Sequence, residues 1–187
     1  MEELEGRGGQ FKEVRDILFS LAGERVEQLI GAPLHALSRL RLTDEDFRDI
    51  REVQPFLFTD DQLWAYQVEY KGEENIEGTD CWVLQVKPRQ ILDGQRLFEG
   101  LMWVNQQDYA VVRSEGKAVP DILDSKHENL FPRFTTLRGK VDDRHWFPIY
   151  THAEDTLGFR GGSLKMRMKI QYGNYKRFAS DTNITFK

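Results

Sequence analysis

His145, His152, Glu154 and Asp155 are of the types that ligate zinc, and His152 and Glu154 share a strand face at i and i+2. The sequence adds no second close histidine and no cysteine pair to complete the set, so neither a metal nor another cofactor is expected. Nucleophilic chemistry fares no better. There is no Gly-x-Ser-x-Gly elbow, and the single cysteine, Cys81, stands next to Trp82 with no positive neighbour to stabilise a thiolate. Gly158, Gly161 and Gly162 surround Phe159 and Arg160 but lack the Lys-Ser/Thr ending of a phosphate loop, so they read as a hairpin turn. Carboxylates are plentiful, yet the sequence pairs no two of them across a cleft. No enzymatic activity is expected.

Two features point to binding instead. Lys165, Arg167 and Lys169, continued by Lys176 and Arg177, form a basic stripe. It is either a solvated strand face that blocks aggregation or a docking surface for an acidic partner or anionic headgroups. The second feature is a set of apolar side chains on alternating strands. Phe47, Ile50, Trp64, Tyr66, Trp82, Leu84, Phe98, Met102 and Val104 are the candidates to line an apolar cavity, with plain core as the other reading.

Composition bounds the class. At 187 residues and 40% hydrophobic, the chain is long enough for one domain with its own core. Lys+Arg 26 against Asp+Glu 31 gives a net charge of -5, without the basic excess that neutralises nucleic-acid phosphates. Nucleic acid is therefore not expected as a partner. One cysteine excludes an intramolecular disulfide. No apolar run reaches the roughly 18 residues of a transmembrane helix, and the first residues, Met-Glu-Glu-Leu-Glu-Gly-Arg-Gly-Gly, are acidic where a secretory signal needs positive charge. The expectation is a monomer with a disordered tail over residues 1–9, a single domain over 10–187, and neither a transmembrane segment nor an address in the chain as it stands.

The elements that would position these groups are mostly strands. Arg96 to Lys117 holds two aromatic and β-branched runs around Gln106-Gln107-Asp108, the pattern of an antiparallel hairpin. Its first arm is apolar on both faces: Phe98, Met102 and Val104 on one, Leu97, Leu101 and Trp103 on the other. Both faces need cover. Residues 11–19 and 24–30 read as another hairpin around Ala22-Gly23, and 64–70, 82–87, 129–139, 145–156, 164–172 and 183–186 read as further strands. Apolar residues recur at three-residue spacing from Leu34 to Leu40 and from Phe47 to Val53, and Thr43 followed by Asp44, Glu45 and Asp46 is a capped helix start. A helix over about 44–53 stops near Gln54-Pro55. The fold class is therefore mainly β with some α, a curved antiparallel sheet of about eight to eleven strands with helical cover on its concave face.

The run Glu99-Gly100-Leu-Met-Trp103-Val104-Asn105, then Asp108 to Arg113-Ser-Glu-Gly, with Val83 to Pro88 before it and Trp146-Phe147-Pro148 after it, resembles bacterial outer-membrane lipoprotein-sorting proteins of the LolA/LolB-like superfamily. In that family a Gly-x-x-Trp-Val-Asp strand leads through a polar turn into a strand with a charged end. The resemblance spans roughly Leu63 to Tyr172. It implies a half-barrel with helices over its concave face, a cavity holding a lipid or the acyl chain of a lipoprotein, and a periplasmic place in the bacterial cell envelope with a possible envelope protein partner. The rival expectation is a structural or protein-docking module with a filled core and a basic partner-binding strand.

Overall fold

The computed structural model describes residues 1–20, 25–55, 60–121, 132–159 and 162–176. In chain order the elements are β1 (Glu2–Glu3), β2 (Gly9–Lys12), β3 (Arg15–Phe19), β4 (Arg25–Leu29), β5 (Leu34–Ala36), α1 (Asp44–Arg48) running into a π-helical turn (Asp49–Val53), and α2 (Asp60–Leu63). The strands β6 (Tyr66–Ile76), β7 (Thr79–Pro88), β8 (Leu97–Asn105), β9 (Val111–Val119), β10 (Phe134–Val141), β11 (His145–Phe159) and β12 (Gly162–Gln171) follow. Ten strands make one antiparallel sheet, open rather than closed into a barrel, in the order β5-β2-β1-β12-β11-β10-β9-β8-β7-β6. The run from β6 to β12 is a meander, and the short N-terminal strands extend it beyond β12. The β3-β4 hairpin stands as a separate two-stranded sheet.

The hairpin over Arg96 to Lys117 supplies β8 and β9, third and fourth from the β6 edge of the sheet. β8 and β9 pair from Leu97↔Val119 to Trp103↔Arg113, with an irregularity before Val104↔Val111. Gly100 and Gly116 face each other in this register. A Cβ on Gly100 would lie 2.8 Å from Phe98 Cζ and one on Gly116 2.7 Å from Phe98 Cε2, so the glycine pair makes the floor on which the Phe98 ring lies. Phe98 meets Phe134 at 6.0 Å between ring centroids, and both are buried with Met102, Val86, Leu164, Met166 and Met168. The alternation expected in β12 is observed, with Leu164, Met166 and Met168 buried while Lys165 and Lys169 are exposed.

Segment 37–55 crosses this inner face. Thr43 caps α1 as its sequence implied: its hydroxyl accepts from Asp46 N, and Asp46 accepts from Thr43 N at 2.7 Å. The helix then widens, Gln54 N donating to Asp49 O. Asp49 and Val53 are thereby both buried on the sheet side. Leu40 and Val53 join the Phe98 and Met102 cluster, so the apolar part of the interface is packed core.

The N-terminal half departs most from expectation. Residues 1–9 are not a disordered tail: β1 pairs with β12 and β2, and Glu3 is buried. Its carboxylate accepts from the backbone amides of Ser38, Arg39 and Leu40 at 3.0, 2.7 and 2.7 Å. Burial works to raise the Glu3 carboxyl, but these amides and the Ser38 hydroxyl hold it below the usual carboxylate range. The three-residue spacing from Leu34 to Leu40 is not helical either, since Leu34–Ala36 pairs with β2 as an edge strand. With those short strands the main sheet has ten strands, within the expected eight to eleven, and β3 and β4 make a separate pair. Of the hairpin expected over 11–19 and 24–30, residues 15–19 and 25–29 form β3 and β4 while Phe11 and Lys12 belong to β2; its turn, residues 129–131 of the strand expected over 129–139, and the strand expected over 183–186 lie outside the described residues.

Candidate functional site

The inner face of the sheet has two halves. Over β8 to β12 it is closed by segment 37–55, largely through polar ties. Arg96 donates to Asp49 Oδ1 at 2.9 Å and to Asp49 Oδ2 at 2.5 Å, and also to the Pro120 carbonyl. Burial pushes the Asp49 carboxyl up, against the pull of Arg96. Thr136 Oγ1 donates to the Gln54 carbonyl at 2.9 Å and shares a hydrogen bond with Thr151 at 2.8 Å. Arg138, lowered to about 10 by burial, donates to the Pro55 carbonyl at 3.1 Å and to Ser114 Oγ at 3.3 Å.

Further along β6 and β7, beyond the buried Tyr66 and Val86, the same face is exposed. The register places Val68 beside Val86, Tyr70 beside Leu84, Leu84 beside Met102, and Trp82 beside Val104, all on the face that carries the buried Met102 and Phe98. Met102 is 1% exposed, whereas Val68 is 42% and Tyr70 58% exposed. Trp82, Leu84 and Val104 are half-buried. Tyr109 extends the shelf: it meets Trp82 at 5.7 Å between ring centroids and is 72% exposed. Its φ is 59°, left-handed backbone that a tyrosine rarely adopts. The turn holds that geometry with Tyr109 N donating to Asn105 O at 3.0 Å. The result is an open apolar shelf with an aromatic rim.

The sequence candidates divide between these halves. Phe98 and Met102 are core. Tyr66 is buried at the border, its hydroxyl accepting from Phe98 N at 3.3 Å. Trp82, Leu84 and Val104 line the shelf. Trp64 is not on the strand face with Tyr66, because β6 begins after it, and its ring is exposed. Phe47 turns away from Phe98 towards Phe11, at 5.9 Å, with Arg15 over its ring at 5.8 Å. Ile50 is half-buried. The positions facing the sheet from the cover are Leu40, Asp49, Val53 and Gln54. Apolar spacing overlooks two of these because an acid and an amide occupy them, and the signal that would have found Asp49 is a basic partner, Arg96, elsewhere in the chain. Val68 and Tyr109 were missed, although strand alternation puts Val68 on one face with Tyr66 and Tyr70, whose aromatic rings pointed to that face.

The basic stripe is largely spent on neighbours. Arg167 meets Glu154 at 2.9 Å and Lys165 meets it at 3.1 Å, holding that carboxyl below its usual range. Lys169 sits opposite His152. Lys176 is exposed, and Arg177 lies outside the described residues. Of the zinc-type residues, His145 pairs with Asp142 at 3.1 Å and His152 stacks on Tyr150 at 5.5 Å. Among the described residues no group of three His, Cys, Asp or Glu is placed to hold a metal. Cys81 is buried, which pushes its thiol up. No helix among the described residues is long and apolar enough to cross a membrane.

The outer face is sealed differently. Trp103 carries Arg113 over its ring at 4.4 Å and donates to Glu74 at 2.7 Å. Trp146 carries Lys140 at 5.4 Å and donates to Asp108 at 2.9 Å. Charged side chains thus roof the apolar cluster of Cys81, Trp103 and Val112.

No family model matches this chain, and no curated protein does. Among solved structures, a DUF1329 family protein from Desulfovibrio piger aligns over 99% of this chain and 64% of its own, at 18% identity and a TM-score of 0.38. This chain therefore spans under two thirds of that protein's length. Similarity at that level assigns no function.

Proposed function

We propose that the protein binds an apolar ligand, such as a lipid or the acyl chain of a lipoprotein, on the open shelf of β6, β7 and β8, without catalysing a reaction. The observation that carries this reading is the contrast within one sheet face: Tyr70 is exposed one strand away from the half-buried Leu84 and two from the buried Met102. Burying one such side chain stabilises by about 1.5–3 kcal/mol, and an exposed contiguous apolar surface of this kind marks a binding site. The ligand lies along the sheet rather than in a closed cavity, because Leu40 and Val53 already fill the space over Phe98. Trp82, Leu84 and Val104 form the floor, and Val68, Tyr70 and Tyr109 the rim. With the resemblance to lipoprotein-sorting proteins, the reading places the protein in the bacterial periplasm as a monomer.

Native mass spectrometry of protein purified without detergent tests this. An acyl lipid is expected to travel with the chain and to be lost from the double variant Val68→Glu, Tyr70→Glu. Equal lipid on both proteins, or none on either after incubation with phospholipid vesicles, rejects the reading.

A partner-docking role is the second reading, and the β3-β4 hairpin rather than the basic stripe favours it. Val14, Leu18, Val26 and Ile30 are all exposed there, and Leu18 pairs with Val26 on one face. On its opposite face Arg25 donates to the Arg51 carbonyl, and Ile17, Phe19 and Leu29 there are exposed as well.

A further inference from the structure

We propose a second binding site, for a small carboxylate with a short apolar body, in the pocket between β5 and α1. The pocket is about 260 Å³ and is lined by His35, Leu37, Leu40, Arg41, Leu42 and Phe47. That volume is about nine waters at roughly 30 Å³ each, and lies just below the roughly 300–1,000 Å³ of sites for drug-sized molecules. Its occupant is correspondingly small. The leucines and Phe47 give an apolar floor. The polar lining residues are Arg41, which is exposed, and His35, and no acid lines the pocket among the described residues. Arg41 has neither a hydrogen-bond nor an ion-pair partner among the described residues, so its guanidinium is available for a bidentate bond to a carboxylate.

The walls are fixed before anything binds. The amides of Ser38, Arg39 and Leu40 are all held by the buried Glu3 carboxylate, which pins the loop that carries Arg41. Phe11 holds the other side, meeting His35 edge-on at 4.7 Å and Phe47 at 5.9 Å. A preformed site loses less on ordering when it binds. This site stands apart from the shelf: it lies at the β5 end of the sheet and the shelf at the β6 end.

The test is a titration of the full, ¹⁵N-labelled chain with octanoate, followed by amide chemical shifts, with octanol as the neutral probe of the same length. Saturable shifts are expected at His35, Leu37, Leu42 and Phe47, with octanol at least about tenfold weaker, the size of effect a hydrogen bond to a charged group supplies. Arg41→Ala is expected to weaken octanoate about tenfold, and Arg41→Lys to restore most of the loss by keeping the charge. Since Arg41 is exposed and makes no bond among the described residues, both variants are expected to fold. Octanol binding as well as octanoate, or Arg41→Ala binding octanoate unchanged, overturns the proposal. So do octanoate shifts confined to Trp82, Leu84 and Val104, which would leave the shelf reading intact.

Discussion

One face of one sheet is finished in two ways. Over β8 to β12, Phe98, Met102 and Met168 lie beneath segment 37–55, which is fastened by the Asp49 and Arg96 pair and by the Gln54 and Pro55 carbonyls. Further along β6, side chains of the same kind, Val68 and Tyr70, are exposed. The outer face shows that exposure is not forced by a shortage of covering groups, because Arg113 and Glu74 suffice to bury Trp103 there. Among the described residues no similar pair reaches Tyr70 or Tyr109. The closed half is packed core and the open half is exposed surface, which is where the proposed ligand lies.

That contrast is open to mutation. The largest effects belong to the closed half. Arg96→Ala leaves Asp49 charged and buried, and is expected to cost about 3–5 kcal/mol by urea denaturation. Replacing Asp49 and Arg96 together by leucine and methionine is expected to recover much of that loss, since neither charge is then orphaned. Phe98→Ala removes the ring from above Gly100 and Gly116 and is expected to cost about 3–5 kcal/mol in the same assay. Glu3→Gln comes next, at about 1–3 kcal/mol, because the amides of residues 38–40 lose a charged acceptor. Its pH dependence follows from the sign of the shift. Glu3 titrates lower in the folded chain than in the unfolded one, so its stabilisation is complete above the ordinary carboxylate range and is lost as pH falls through the folded value. The stability of Glu3→Gln is accordingly expected to change less with pH across that acid range than that of the parent. The smallest effect on stability belongs to the open half: Tyr70→Ser is expected to stay within about 0.5 kcal/mol of the parent. A loss above 2 kcal/mol there would make the shelf part of the core and dissolve the distinction.

How much of this could be read from residues follows the periodicity. Period-two alternation marked β7, the β8-β9 hairpin and β12, and the cap at Thr43 marked the start of α1, because each is a local signal. The strands β1, β2 and β5 were not legible. They are two to four residues long, and what holds them is remote: β12 beside Glu2, and the loop amides around Glu3. Phe47 and Ile50 were expected to face the sheet because apolar spacing points that way. Asp49 and Gln54 took the inward positions alongside Val53, since Arg96 and Thr136 from distant strands satisfy them. Trp82, Leu84 and Val104 were named as candidates from their apolar character, but how far each is covered depends on what packs across the sheet face, which is a tertiary fact.

The separation of a closed half from an open one is tested most directly by titrating ¹⁵N-labelled protein with a spin-labelled fatty acid, such as 16-doxyl stearate, and mapping where amide signals broaden. The expected result is saturable broadening at Val68, Tyr70, Trp82, Leu84, Val104 and Tyr109, with Leu40, Val53, Phe98 and Phe134 spared. Broadening centred on Leu40, Val53 and Phe98 would mean that the cover lifts to admit a chain beneath it, and would contradict the division drawn here.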